Sequence, residues 1–202
     1  MGLDYTNKDG AYRIRDLVMR PHPHERILAD LYYRFEAQGL LEILFHEGAK
    51  PTLVWFLSTF LAPETSTLAC YRETSDGEYA VDDKRYTPLG ITCINKTWPI
   101  GENFRKAECG MGFVRRVPLD DTVDCAKMTL EWAFNHLALD ALIGTTPAPN
   151  RAATIFGQKV GFQQAGVLEG YTCWHGKLCG VVLQSMTRDR WMKIRAQESE
   201  VA

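Results

Sequence analysis

Asn150 to Phe162 reads NRAATIFGQKVGF, and a helix is written into it from end to end. Asn150 follows Pro147-Ala148-Pro149, and its side-chain oxygen suits an N-cap, accepting from the free N–H groups of the first turn. Ala152, Ala153, Ile155 and Phe156 make one apolar face, which predicts a short buried helix. Gly161 supplies the C-terminal stop, and Phe162 opens the next extended run. Just upstream, Ala141–Thr145 (ALIGT) reads as a short buried strand that runs into the cap.

The pattern extends outward in both directions. Toward the C-terminus, Phe162–Cys173 and Leu178–Ser185 form a hairpin turning at His175-Gly176. Toward the N-terminus, Thr122–Leu139 returns to helical period, with Val123, Ala126, Leu130, Ala133, Phe134 and Leu137 on one wide face. Before it come the extended segments Thr67–Arg72, Pro88–Thr97 and Arg105–Val117, the last loosened by Gly110 and Gly112, with a turn at Asp76-Gly77. Further back, helices are expected over Glu25–Gln38 and Pro51–Leu61, and a first strand over Tyr12–Val18. A strand–helix–strand unit inside a largely antiparallel set of strands makes this an α+β fold.

The totals bound the rest. With 202 residues, 46% of them hydrophobic, residues 1–187 are expected to fold as one domain, with 188–202 as a C-terminal extension. A net charge of −2 gives no global field for nucleic acid or an anionic membrane. The polar start MGLDYTNKDG lacks the layout of a signal peptide; it does fit a short acylation pattern, which chance matches often. Leu53–Ala62 is the most apolar run, and its ten residues are too few to span a bilayer, so a core or groove-lining helix is expected. The six cysteines form no CxxC pair and read as reduced thiols of a cytoplasmic protein.

The spacing inside NRAATIFGQKVGF, together with the element order, resembles the GNAT-type N-acetyltransferases. Their final helix begins on Asn, carries a small residue three positions on, and closes with Gly-Phe; Asn150, Ala153, Gly161 and Phe162 match. The resemblance is strongest over Ala107 to Met186, and it is nearest the subgroup that acetylates N-terminal amines of ribosomal proteins. It implies a mixed, mostly antiparallel sheet with helices on both faces, and acetyl-CoA as cosubstrate. It assigns the backbone of Met111, Gly112, Phe113 and Val114 to the pantetheine arm, with the N–H of Val114 or a neighbour polarising the thioester carbonyl. Asn150 would add a side-chain hydrogen bond, and the acceptor, a small amine or a protein amino group, would enter near Trp55 and Phe56.

The sequence departs from that family in two places. A Gly-rich phosphate loop of the type Gln/Arg-x-x-Gly-x-Gly/Ala is set against Asp121–Ala126, where only Ala126 fits. Asp121 and Asp124 are helix-capping carboxylates that would repel a pyrophosphate, and Arg115, Arg116 and Lys127 are the cations that would offset them. The family's thiolate-protonating Tyr is replaced by Gly157. These departures keep a second class open: a GNAT-fold protein that has lost the coenzyme and serves as a structural or interaction subunit of an assembly.

The remaining candidates each have an ordinary reading. Glu108 could act as a general base through a water; a strand Glu facing solvent is the ordinary reading. His22 and His24 lack a third ligand of metal-site spacing, so no metal is expected. Asp120, Asp121 and Asp124 are explained by capping, and Cys125 by packing. Trp174-His175 could touch a partner from the hairpin tip. Arg188–Arg195 (RDRWMKIR) reads as a solvated helix with one apolar edge, with a docking element as the alternative.

Overall fold

The computed structural model describes residues 16–45, 50–81, 83–100 and 104–201. Most of the N-terminal strand expected over Tyr12–Val18, and the MGLDYT start, lie outside them. The elements follow as β1 (Leu17–Pro21), α1 (Glu25–Ala37), α2 (Leu41–Leu44), α3 (Leu53–Phe60), β2 (Ser66–Glu73), β3 (Tyr79–Val81), β4 (Lys84–Ile100) and β5 (Phe104–Phe113). Then come α4 (Leu119–His136), β6 (Ala141–Pro147), α5 (Arg151–Val160), β7 (Gln163–Trp174), β8 (Lys177–Thr187) and α6 (Arg188–Val201). The strands run in the order β1-β2-β4-β5-β6-β8-β7, with β3 paired to β4. β5–β6 is parallel, as a strand–helix–strand connection requires, while β1–β2, β3–β4, β6–β8 and β7–β8 are antiparallel. This is the expected mixed, mostly antiparallel α+β sheet.

The described residues divide into two compact units: 16–45, 50–93 and 111–129 belong to the first, 94–110 and 130–201 to the second. In the first, Leu28, Leu31, Tyr32 and Phe35 repeat at helical spacing along α1 and bury against Leu41, Phe56 and Ile91. Phe56 is completely buried and packs edge-on to Tyr32 and Phe35, whereas Trp55 is half exposed. The Tyr32 hydroxyl donates to the Pro51 carbonyl at 3.0 Å, so the one polar atom of that cluster is satisfied. On α4, buried Thr129 shares a 2.9 Å hydrogen bond with Thr92 of β4.

The second unit carries the stretch that opened the sequence argument. Asn150 Oδ1 accepts the Ala153 N–H, and Gly161 closes α5 at φ 110°, the left-handed conformation that favours glycine. The apolar face of α5 differs from the expected one. Ile155 is 53% exposed and only Val160 is buried, because the face toward the strands is the Ala153, Phe156, Gly157, Val160 spacing. The β7–β8 hairpin turns at His175-Gly176 with φ of 49° and 74°, as a two-residue turn with both residues left-handed requires. In α6, Trp191 is buried and donates to Glu131 at 3.1 Å, and Arg195 reaches the same carboxylate at 3.3 Å. The apolar edge of RDRWMKIR is thus packed against its own unit at Trp191, while Met192 is exposed.

Other boundaries shift for local reasons. β5 ends at Phe113 rather than Val117, and α4 starts at Leu119 rather than Thr122 and ends at His136. Pro118 is the cause at the start: its carbonyl accepts the Thr122 N–H at 3.1 Å, which makes it the cap. The short elements α2 and β3 were not expected, being too brief to show a period.

Candidate functional site

The last residues of β5, the turn after it and the first turn of α4 form a continuous segment of the first unit. Val114 donates its N–H to Leu89 O of β4 at 2.9 Å. That donor is therefore engaged between β5 and β4. By the alternation of a strand, Met111 turns its backbone groups to the opposite edge of β5 from the Val114–Leu89 bond. Gly112 is a point of close approach rather than a loosening: a Cβ there would stand 2.7 Å from Leu44 Cδ2 of α2. A Cβ at Gly90 on β4 would in turn overlap the Gly112 carbonyl and Phe113.

Arg115 and Arg116 make the turn and are exposed. Arg116 sits at φ 71°, a conformation that costs a non-glycine residue about 1 kcal/mol. The Arg115 N–H donates to Gln38 Oε1 at 2.6 Å. Two cations therefore precede the positive end of an 18-residue helix.

The carboxylates lie differently from their expected places. Asp121 is only 5% exposed and pairs with the guanidinium of Arg72 on β2. Its charge is answered inside the unit instead of facing an incoming phosphate. Asp124 lies a turn further along α4, away from its start, and Asp120 is the exposed acid of the first turn. Ala126 and Lys127 belong to the second and third turns; Ala126 is completely buried and offers nothing to a ligand at the helix start. The thiol of Cys125, also buried, is held well above the usual thiol range by its hydrogen bond with Cys70 and by burial. A packed, unreactive thiol results.

Two sequence candidates belong to the second unit. Glu108 stands on β5 opposite Ile143, the last residue pair of the parallel β5–β6 register. Asn150 has its Oδ1 engaged in the cap, which leaves the amide NH2 as the donor it can offer. Gly157, at the position of the family's Tyr, is packed tightly: a Cβ there would overlap Gln184 Oε1. Gln184 is itself buried and donates to the Thr154 carbonyl of α5 at 3.0 Å. Among the described residues no three His, Cys, Asp or Glu side chains gather as a metal site, and no helix is long and apolar enough to cross a membrane.

Sequence reasoning missed Arg72, Gln38 and Gln184, each of which acts across a long sequence separation. Gly90 and Gly112 are strand glycines of the kind that mark close backbone approach, a sign the sequence does carry.

No family model and no curated protein matches the sequence. Solved structures do. A ribosomal-protein-S5-alanine acetyltransferase from Vibrio fischeri superposes with a TM-score of 0.67 at 12% identity, over 91% of this chain and 99% of its own. RimJ from Mycobacterium smegmatis, in complex with CoA-disulfide, gives 0.68 at 15% identity over 94% and 93%. The chain has the GNAT acetyltransferase fold. A spermidine N-acetyltransferase from Vibrio cholerae, in complex with CoA and spermine, gives 0.66 at 12% identity over 88% and 98%, so the GNAT likeness spans proteins with different acceptors.

Proposed function

We propose that this chain is an acetyl-CoA-dependent N-acetyltransferase acting on a small amine or a protein amino group. The observation that carries the reading is the turn Arg115–Arg116 before the start of α4, where Asp121 is paired with Arg72 and Asp120 is the one carboxylate left facing solvent in the first turn. Arg115, Arg116 and the start of α4 would hold the pyrophosphate, and the outward backbone edge of β5 at Met111 the pantetheine arm. Acetyl-CoA, when bound, supplies the acetyl thioester. Asn150 keeps an amide donor for the coenzyme, and Glu108 is the proposed base, acting through a water. The two GNAT structures that hold a coenzyme A species support the cosubstrate. A ribosomal-protein enzyme and a spermidine enzyme among the similar structures support an amine acceptor without choosing between a protein and a polyamine.

One observation favours the second reading, a GNAT-fold structural subunit without catalysis. Gly157, packed against Gln184, leaves no hydroxyl on α5 at the position of the family's thiolate-protonating Tyr. The readings separate in an assay of thiol release from acetyl-CoA, with spermidine and a panel of N-terminal peptides as acceptors. Acceptor-dependent release supports the enzyme. No release with any acceptor, from folded protein that shows no saturable coenzyme binding, leaves the structural subunit.

A further inference from the structure

Gln38 is the C-cap of α1, far in sequence from the turn it touches. Its place is set by the way α1 ends: the Gln38 N–H bonds to Arg34 O at 3.2 Å, the Gly39 N–H to Glu36 O at 3.0 Å, and the Leu40 N–H to Phe35 O at 2.8 Å. Gly39 stands at φ 65°. This is a Schellman-type stop, which closes the helix and fixes the direction of the residue just before it. From there Gln38 Oε1 accepts the Arg115 N–H at 2.6 Å across 77 residues.

The contact is one of three that hold the same stretch. Leu44 of α2 presses on Gly112, and Val114 packs against the α1–α3 cluster. Those two are apolar and fix position; the Gln38 bond is directional and fixes the orientation of a peptide plane. The plane it fixes is the one entering Arg115, immediately before Arg116 takes its left-handed φ of 71°. A left-handed residue other than glycine persists only where its neighbours over-determine it. Both arginine side chains are exposed, so the turn is held from the side of its backbone.

We propose that Gln38 is a positioning residue for coenzyme binding, holding the Arg115–Arg116 turn in the shape that presents two cations beside the start of α4. The inference rests on the acetyl-CoA reading above. Gln38 does not touch the ligand; it acts through the Arg115 amide, and links the helices of the expected acceptor side to the phosphate turn.

The test compares two probes, coenzyme A and pantetheine, which lacks the phosphates. Gln38→Leu keeps the length and removes the acceptor, and Gln38→Asn keeps polarity but shortens the reach. Both variants should bind coenzyme A about tenfold more weakly while pantetheine changes less than about twofold. Amide exchange at Arg115 should speed up about tenfold in both variants, while Val114, bonded to Leu89, keeps its protection. Gln38→Glu retains an acceptor oxygen and should keep Arg115 protected. Unchanged coenzyme A affinity in both variants, or an equal loss for both probes, overturns the role of Gln38 and spares the coenzyme reading. Failure of the native protein to bind coenzyme A overturns both.

Discussion

Helices α4 and α5 both follow a strand, and both begin where the resemblance places a coenzyme, yet their starts are held in opposite ways. α5 is capped by its own neighbour: Asn150 Oδ1 takes the Ala153 N–H, and the whole device fits within four residues. The start of α4 depends on distant partners. Asp121 is answered by Arg72 of β2, and the turn before the helix is pinned by Gln38, the C-cap of α1. A local cap contributes a modest, transferable amount of stability. An ion pair across the unit with a buried carboxylate and a partly exposed guanidinium stakes more on its partner, because losing the cation strands a buried charge.

The sharpest way to break the comparison is Arg72→Ala. It leaves a nearly buried Asp121 carboxylate without its cation and should cost about 3 kcal/mol, read as a lowered urea midpoint. Asp121→Ala, which removes the charge itself, should cost markedly less. Equal costs would show that the pair is worth no more than its packing.

Next in size is Gly157→Tyr, which restores the family's hydroxyl to α5. The added Cβ meets Gln184 Oε1, so overpacking of about 2 kcal/mol is expected. Gln184→Ala in the same chain should recover part of it, a coupling that a double-mutant cycle measures directly. Additive effects would mean that Gln184 moves aside freely.

Asn150→Ala should cost about 1 kcal/mol, the ordinary worth of an N-cap, and so fall below Arg72→Ala. Arg116→Gly is expected to go the other way, gaining about 0.5 kcal/mol by relieving the left-handed φ while weakening coenzyme binding. A loss of stability there would show that the Arg116 side chain holds the turn.

The smallest effect is a pH dependence in the first unit. Burial, then the negative charge of Asp30, pushes the Tyr79 hydroxyl from 10 up to about 12. Because the folded state holds that proton more tightly, the contribution is fully present below about pH 10 and is lost as pH rises toward about 12. Tyr79→Phe should flatten the alkaline side of a stability–pH curve in that window. An unchanged slope would assign the alkaline loss to other groups.

The same contrast explains what the sequence could reveal. The Asn150 cap, the Gly161 stop and the His175-Gly176 turn each depend on residues a few positions apart, and all three stand where their chemistry predicts. The start of α4 was misplaced by three residues because Pro118 caps it through a backbone carbonyl, which leaves no mark in the side-chain pattern. That shift carried Asp124 and Ala126 away from the helix start. The bond from the Val114 N–H to the Leu89 carbonyl leaves no sign in the sequence, since the two become neighbours only once β4 and β5 meet. Ile155 was placed on the wrong side of α5 because an apolar residue at a surface position looks the same in sequence as one in the core.

The central claim is that the Arg115–Arg116 turn and the start of α4 bind the phosphates of acetyl-CoA. Calorimetric titration of the native protein and of the Arg115→Ala/Arg116→Ala variant with coenzyme A tests it most directly. The account predicts saturable binding by the native protein that weakens with added salt, and a loss of about ten- to a hundredfold in the double variant. No saturable binding at millimolar coenzyme A, or binding indifferent to both salt and the double change, would contradict it.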